Sequence, residues 1–213
     1  MGNDDWFRRT TWSEQDQREF FTRLARSRGT FHKSQYLRLQ ALSLTGTGSE
    51  PLIRVALALL QRLVAEYPDP SQLEQAHLQA ARCHEQLADL DHAVEHFRLA
   101  HRAHSGYPNS DAGTALEFSW FIVEHRLADL YAEALEVLQA AHVAFPVQSF
   151  KAAAVRAFVA ESRDDPQSAR MHALEALEAA GLKKSPFRYH RSLGLVGEEY
   201  ELAIQRLNEL AAA

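Results

Sequence analysis

Apolar residues recur at three- and four-residue spacings along almost the whole chain, with polar residues between them. That is the period of an amphipathic helix. The stretches "LIRVALALLQRLVAEYP" and "LEQAHLQAARCHEQLADL" show it most clearly. No strictly alternating run lies between turn signals, so the pattern predicts no strand. Ser13 followed by Asp16 predicts a capping box opening the first helix, and Gly29 a stop. Tyr36, Leu37, Leu39 and Leu42 predict a second helix closing near Gly46 and Gly48. Pro51 suits a first turn, where its missing N–H would be unpaired anyway, and that helix stops before Pro68. Ser71 and Glu74 predict another capping box. "HAVEHFRLAHRAHSGYP" runs to Gly106 and Pro108, Asp111 opens "ALEFSWFIVEHRLADL", and "YAEALEVLQAAHVAFP" ends at Pro146. "FKAAAVRAFVAES" follows, Asp165 and Pro166 start "QSARMHALEALEAAG", and Ser185 and Pro186 open a last helical region interrupted near Gly194 and Gly197. The expectation is an all-α protein of about ten helices joined by short connectors.

The helices come in pairs with a repeated register. Ala134, Leu138, Ala141 and Pro146 have the same offsets as Ala56, Leu60, Leu63 and Pro68. Ala93, Phe97 and Ala100 repeat them, with the proline three residues late at Pro108. Ala169, Ala173 and Ala176 repeat them again, with Gly181 in place of the proline. The first alanines are 37, 41 and 35 residues apart. Small residues at those places let two helices approach closely, the larger residue fills the groove between them, and the proline ends the second helix.

This pattern resembles the tetratricopeptide repeat (TPR) family, in four degenerate units over residues 37–183. The tryptophan, glycine and tyrosine of the family's first helix are mostly absent. Phe118 and Phe121 hold comparable bulk in the third unit, and Ala81 stands in for the glycine in the second. The resemblance implies a right-handed α-α superhelix. Residues 1–36 would then be a leader and capping helix, and residues 184–213 a C-terminal cap. A HEAT-like solenoid or an irregular bundle is the competing arrangement. The whole chain also resembles bacterial TPR-containing proteins sharing an Asp-Trp-Phe-Arg leader and the tail from Leu193 to Gly197. That likeness implies a fold and a cytoplasmic setting, and no activity.

Charge is unevenly spread. Of the net −5, residues 1–38 carry +3, residues 39–180 carry −9 and residues 181–213 carry +1. An acidic middle argues against nucleic acid as a partner. The single cysteine, Cys83, allows no intrachain disulfide and fits a reducing compartment. No apolar run has the length of a membrane span, and the N-terminus shows no signal peptide, so the expected location is cytoplasmic and no membrane partner is expected.

In a TPR-type array the first helix of each pair lines a groove, and the repeat register places Arg38, Gln75, Arg82, Glu85, Ser119, Arg126, Lys151 and Phe158 there. A row of Arg38, Arg82, Arg126 and Lys151 suits an extended peptide bearing carboxylates, because arginine offers paired donors. Ordinary solvated helix charges are the simpler account of the same residues. Trp6, Phe7, Arg8, Arg9 and Trp12 form an aromatic leader, which is expected to cap the first helices or, exposed, to meet a partner. The basic tail "KKSPFRYHRS", with Lys183, Lys184 and Arg188, is a second terminal patch.

"HAVEH" (His92, Glu95, His96) matches the inverted zinc-protease spacing, but Ala93 and Phe97 within it are the repeat's own packing positions. His77, His84, His101, His104, His125 and His142 are scattered through other helices and read as surface or interface residues. "GTGSEP" lacks the strand and third glycine of a dinucleotide site. No catalytic residue, metal or cofactor is therefore assigned. The expected function is a non-catalytic scaffold or adaptor that binds a protein or peptide partner. The alternatives are a structural homo-oligomer or complex subunit and, behind it, a metal-dependent hydrolase at "HAVEH".

Overall fold

In a computed structural model, residues 5–108, 112–187 and 189–212 are described. The helices are α1 (Glu14–Arg26), α2 (Thr30–Thr45), α3 (Glu50–Glu66), α4 (Pro70–Gln86), α5 (Leu90–Gly106), α6 (Thr114–Glu124), α7 (Tyr131–Leu138), α8 (Pro146–Ser162), α9 (Pro166–Ala180) and α10 (Glu201–Ala212). No strand occurs among the described residues. The expected helix opener Asp111 and the terminal-patch residue Arg188 lie outside those residues.

Two compact units divide the chain, Met1–Thr114 and Ala115–Ala213. In the first, α2 packs on α3 and α4, α3 on α4, and α4 on α5. In the second, α8 packs on α7 and α9, and α10 lies against both α8 and α9. Helices pairing with their sequence neighbours are the building plan of an α-solenoid, the all-α class the sequence pattern predicts.

Most of the repeat positions lie in the core, whereas Ala141 falls after the end of α7 and is only half-buried. Ala56, Leu63, Ala93, Phe97, Ala100, Ala134, Ala173 and Ala176 are all fully buried, and Leu60 and Ala169 nearly so. A more exact repeat lies in the turns. Ala88, Arg126 and Asp164 adopt left-handed backbone with φ of 57°, 54° and 53°. They are spaced 38 residues apart each time. After each, an N–H bonds back five residues: Asp89 to the His84 carbonyl (2.9 Å), Leu127 to Ile122 (2.9 Å) and Asp165 to Ala160 (3.1 Å). This bond closes the C-terminal turn of the first helix of each pair. The uneven alanine spacings of 41 and 35 follow. A 3-10 turn, Ala128–Leu130, stands between the second such turn and α7 and displaces Ala134 by three residues.

Several expected boundaries move. α2 begins at Thr30, six residues before Tyr36, with Gly29 at φ 75° as its N-cap instead of the previous helix's stop. α6 ends at Glu124 and α7 is only eight residues long. Pro146 does not end α7 but opens α8, where its fixed φ and missing N–H cost nothing. The capping box at Ser13 and Asp16 forms as expected. The one at Ser71 and Glu74 does not. Asp69 caps α4, and Glu74, 1% exposed, accepts from the Ala112 N–H (3.1 Å), the Thr114 hydroxyl (2.9 Å) and His104 Nδ1 (3.3 Å). A carboxylate buried this deeply is tolerable because donors surround it.

In the second unit, Gly194 (φ 71°) accepts from the Val147 N–H at 2.9 Å and holds the tail on the start of α8. A Cβ at Gly194 would overlap the Phe145 side chain.

Candidate functional site

The aromatic leader is spent on the fold. Trp6 packs on Phe20 and Tyr36 with ring centroids 5.3 and 4.9 Å away, and Trp12 packs on Phe20 at 5.4 Å. Arg9 pairs with Asp16 and Glu19, and its backbone exchanges two hydrogen bonds with the buried Gln40 side chain, at 3.1 and 2.7 Å. Arg8 lies 5.5 Å over the Phe7 ring. Of the basic tail, Lys183 and Lys184 are exposed.

The expected row of groove cations is mostly engaged locally. Arg38 donates to Gln72 Oε1 at 3.0 Å and is half-buried, and that burial lowers its proton affinity. Arg82 pairs with Glu85 at 2.7 Å and covers the Phe97 ring at 5.5 Å. Gln75 is half-buried beside them on α4. In the second unit the structure places all four expected residues away from an open groove face. Ser119 is fully buried, its hydroxyl bonded to the Ala115 and Ala134 carbonyls at 2.8 Å, so it joins α6 to α7 and offers nothing outward. Arg126 is the left-handed residue of the turn, beyond the end of α6. Lys151 is 7% exposed, bonds Glu117 at 2.6 Å and lies 5.9 and 5.6 Å from the Trp120 and Tyr200 rings. Phe158 is buried beneath the Arg206 guanidinium, 4.3 Å from its ring. A helical register says which residues share a face, and the packing partner decides whether that face is open.

An open apolar cleft lies in the first unit at residues that the register did not single out. It has a volume of about 610 Å³. α3 and α5, the second helices of two pairs, form its sides, and α4 closes it behind. Leu57, Leu60, Val64, Ala76 and Ala80 supply an aliphatic lining, and His77, His84, His92 and His96 supply the polar edge.

The four imidazoles form a file. His77 and His96 are 5.4 Å apart between ring centroids, with their Nδ1 atoms 3.3 Å apart. His84 stacks on both His96 and His92 at 5.2 Å. Asp89, the N-cap of α5, meets His84 Nδ1 at 3.2 Å and His92 Nδ1 at 2.8 Å. Burial, with repulsion from His96 and Arg102, pushes His77 down to about 4, so this ring is neutral at pH 7. His96 is lowered by burial and by its histidine neighbours. His92 is raised by its hydrogen bond to Asp89, whose own carboxyl is lowered in return. The signal for this cluster is legible in the chain. His77 and His84 stand seven apart on one face of α4, and His92 and His96 four apart on one face of α5. Only the tight turn between the helices brings the two faces together. "HAVEH" itself does not gather as a unit: His92 turns to Asp89, His96 to His77, and Glu95 is exposed.

No family model and no curated protein matches the chain. Among solved structures, the fold is similar to that in "Crystal structure of BtubC (BKLC) from P. vanneervenii", with a TM-score of 0.52 and 20% identity over 93% of this chain and 80% of that one. No helix among the described residues is long and apolar enough to cross a membrane.

Proposed function

We propose that the chain is a non-catalytic, TPR-type interaction module of the bacterial cytoplasm. It receives the apolar face of a partner protein's amphipathic helix in the α3–α5 cleft. The cleft's form carries the reading: an open trough between two second helices, aliphatic inside and edged by imidazoles that can donate to or accept from the partner's polar groups. Helix-in-groove recognition uses a few apolar anchors inside such a trough and polar contacts at its rim. The acidic charge of residues 39–180 favours a basic outer face on that helix.

The test is a photo-reactive cross-linker at Gln61, on the cleft's α3 side, with partner capture compared between wild type, Leu57→Glu and Arg38→Glu/Arg82→Glu, each checked for native helicity. Loss of the captured protein in Leu57→Glu alone supports the cleft. Loss only in the arginine variant moves the site to the first-helix face. Capture that survives both variants, or no specific adduct at all, refutes the proposal.

A further inference from the structure

We propose that the α4–α5 turn binds one divalent transition-metal ion, zinc in the first instance, through His84, Asp89 and His92. The assignment goes beyond the interaction reading and does not rest on it.

Donor atoms from the three residues lie within 4.8 Å of one another. Both imidazoles present Nδ1 to the same carboxylate, at 3.2 Å from His84 and 2.8 Å from His92. Tetrahedral zinc with bonds of about 2.0–2.1 Å sets neighbouring donors roughly 3.3 Å apart. His84 and Asp89 already stand at that separation, and His92 and Asp89 need to open by about half an ångström. His92 sits in the first turn of α5 with its side chain 61% exposed, so that movement meets little resistance. Two imidazoles and one carboxylate are borderline donors suited to zinc and its neighbours, not to calcium or magnesium. The fourth position, open to water, completes the coordination.

The chain contains its own control. The α8–α9 turn has the same backbone: Asp164 at φ 53° for Ala88 at 57°, Asp165 for Asp89, and the same bond back five residues. Asp165 also caps its helix, accepting from the Ser168 N–H at 3.0 Å. There the places of His84 and His92 are taken by Ala160 and Ser168. The turn and the capping aspartate therefore need neither imidazole, and both histidines occur where the aspartate can be shared.

The closing experiment uses full-length, tag-free protein stripped with a chelator, then titrated with zinc chloride by calorimetry and with cobalt(II) by visible absorption. The variants copy the second turn: His84→Ala, His92→Ser, and Asp89→Asn, which keeps the cap. His77→Ala is the control. The expected result is one zinc per chain with a tetrahedral cobalt spectrum, an affinity at least tenfold weaker in each of the three variants, and no change in His77→Ala. Absence of stoichiometric binding overturns the assignment. So does wild-type affinity in folded His84→Ala and His92→Ser, or dependence on His77. None of these readouts involves a protein partner, so the result is independent of the cross-linking outcome.

Discussion

Asp16 shows how much one capping carboxylate contributes to the first unit. The Ser13 N–H, the Ser13 hydroxyl and the Thr11 hydroxyl each donate to it at 2.9 Å, and Arg9 pairs with its other oxygen. These bonds, that from the Ser13 backbone first, hold its pKa at about 2 against an ordinary 3.8, although partial burial works the other way. A gap of nearly two units corresponds to about 2.5 kcal/mol. Asp16 itself is largely buried but its partner Arg9 and the neighbouring Glu19 reach solvent, and allowing for screening leaves about 1–2 kcal/mol. Because the folded-state pKa is depressed, this stabilisation is complete above pH 3.8 and is lost as the pH falls through about 2. Asp16→Asn keeps the shape and one acceptor, so it isolates the charge. Urea midpoints of wild type and variant, followed by the fluorescence of Trp6 and Trp12, should differ by about 1–2 kcal/mol at pH 7. The difference should shrink below pH 4 and fall to a small fraction of its neutral-pH value by about pH 2. Other carboxylates titrate equally in both proteins and cancel. No difference at pH 7, or one that persists undiminished at pH 2, would refute the argument.

Three further outcomes are expected. Ala93→Leu overfills a fully buried repeat position and should destabilise the first unit by about 1–3 kcal/mol in urea unfolding. Glu74→Ala leaves the Ala112 N–H and Thr114 hydroxyl without their acceptor and should cost about 2–5 kcal/mol. Glu74→Gln, which retains one acceptor, should cost visibly less in the same denaturation series. Gly194→Ala combines a left-handed φ with a Cβ overlapping Phe145, so the tail should detach from α8. Trypsin cleavage at Lys183 and Lys184 should then be faster than in wild type.

The chain by itself determined the class, the pairing and the core. Three- and four-residue periodicity places Ala56, Ala93, Ala134 and Ala169 on buried faces, because only small side chains let paired helices approach. It also determined the Ser13 cap, whose bonds are local. The 38-residue turn period was concealed, because its left-handed residues are Ala88, Arg126 and Asp164 and none is the glycine that would mark such a turn. Tertiary structure alone decided what each polar residue does. Glu74 has the spacing of a capping partner, yet a loop from beyond α5 supplies better donors and draws it inward. Lys151 has the register of a groove cation, yet Glu117 and two aromatic rings enclose it. His84 and His92 look unremarkable in two separate helices until the α4–α5 turn aims both at Asp89. Periodicity reports which side of a helix is apolar because that depends on the helix alone, whereas a polar side chain's role depends on which donor or acceptor the fold sets within about 3 Å of it.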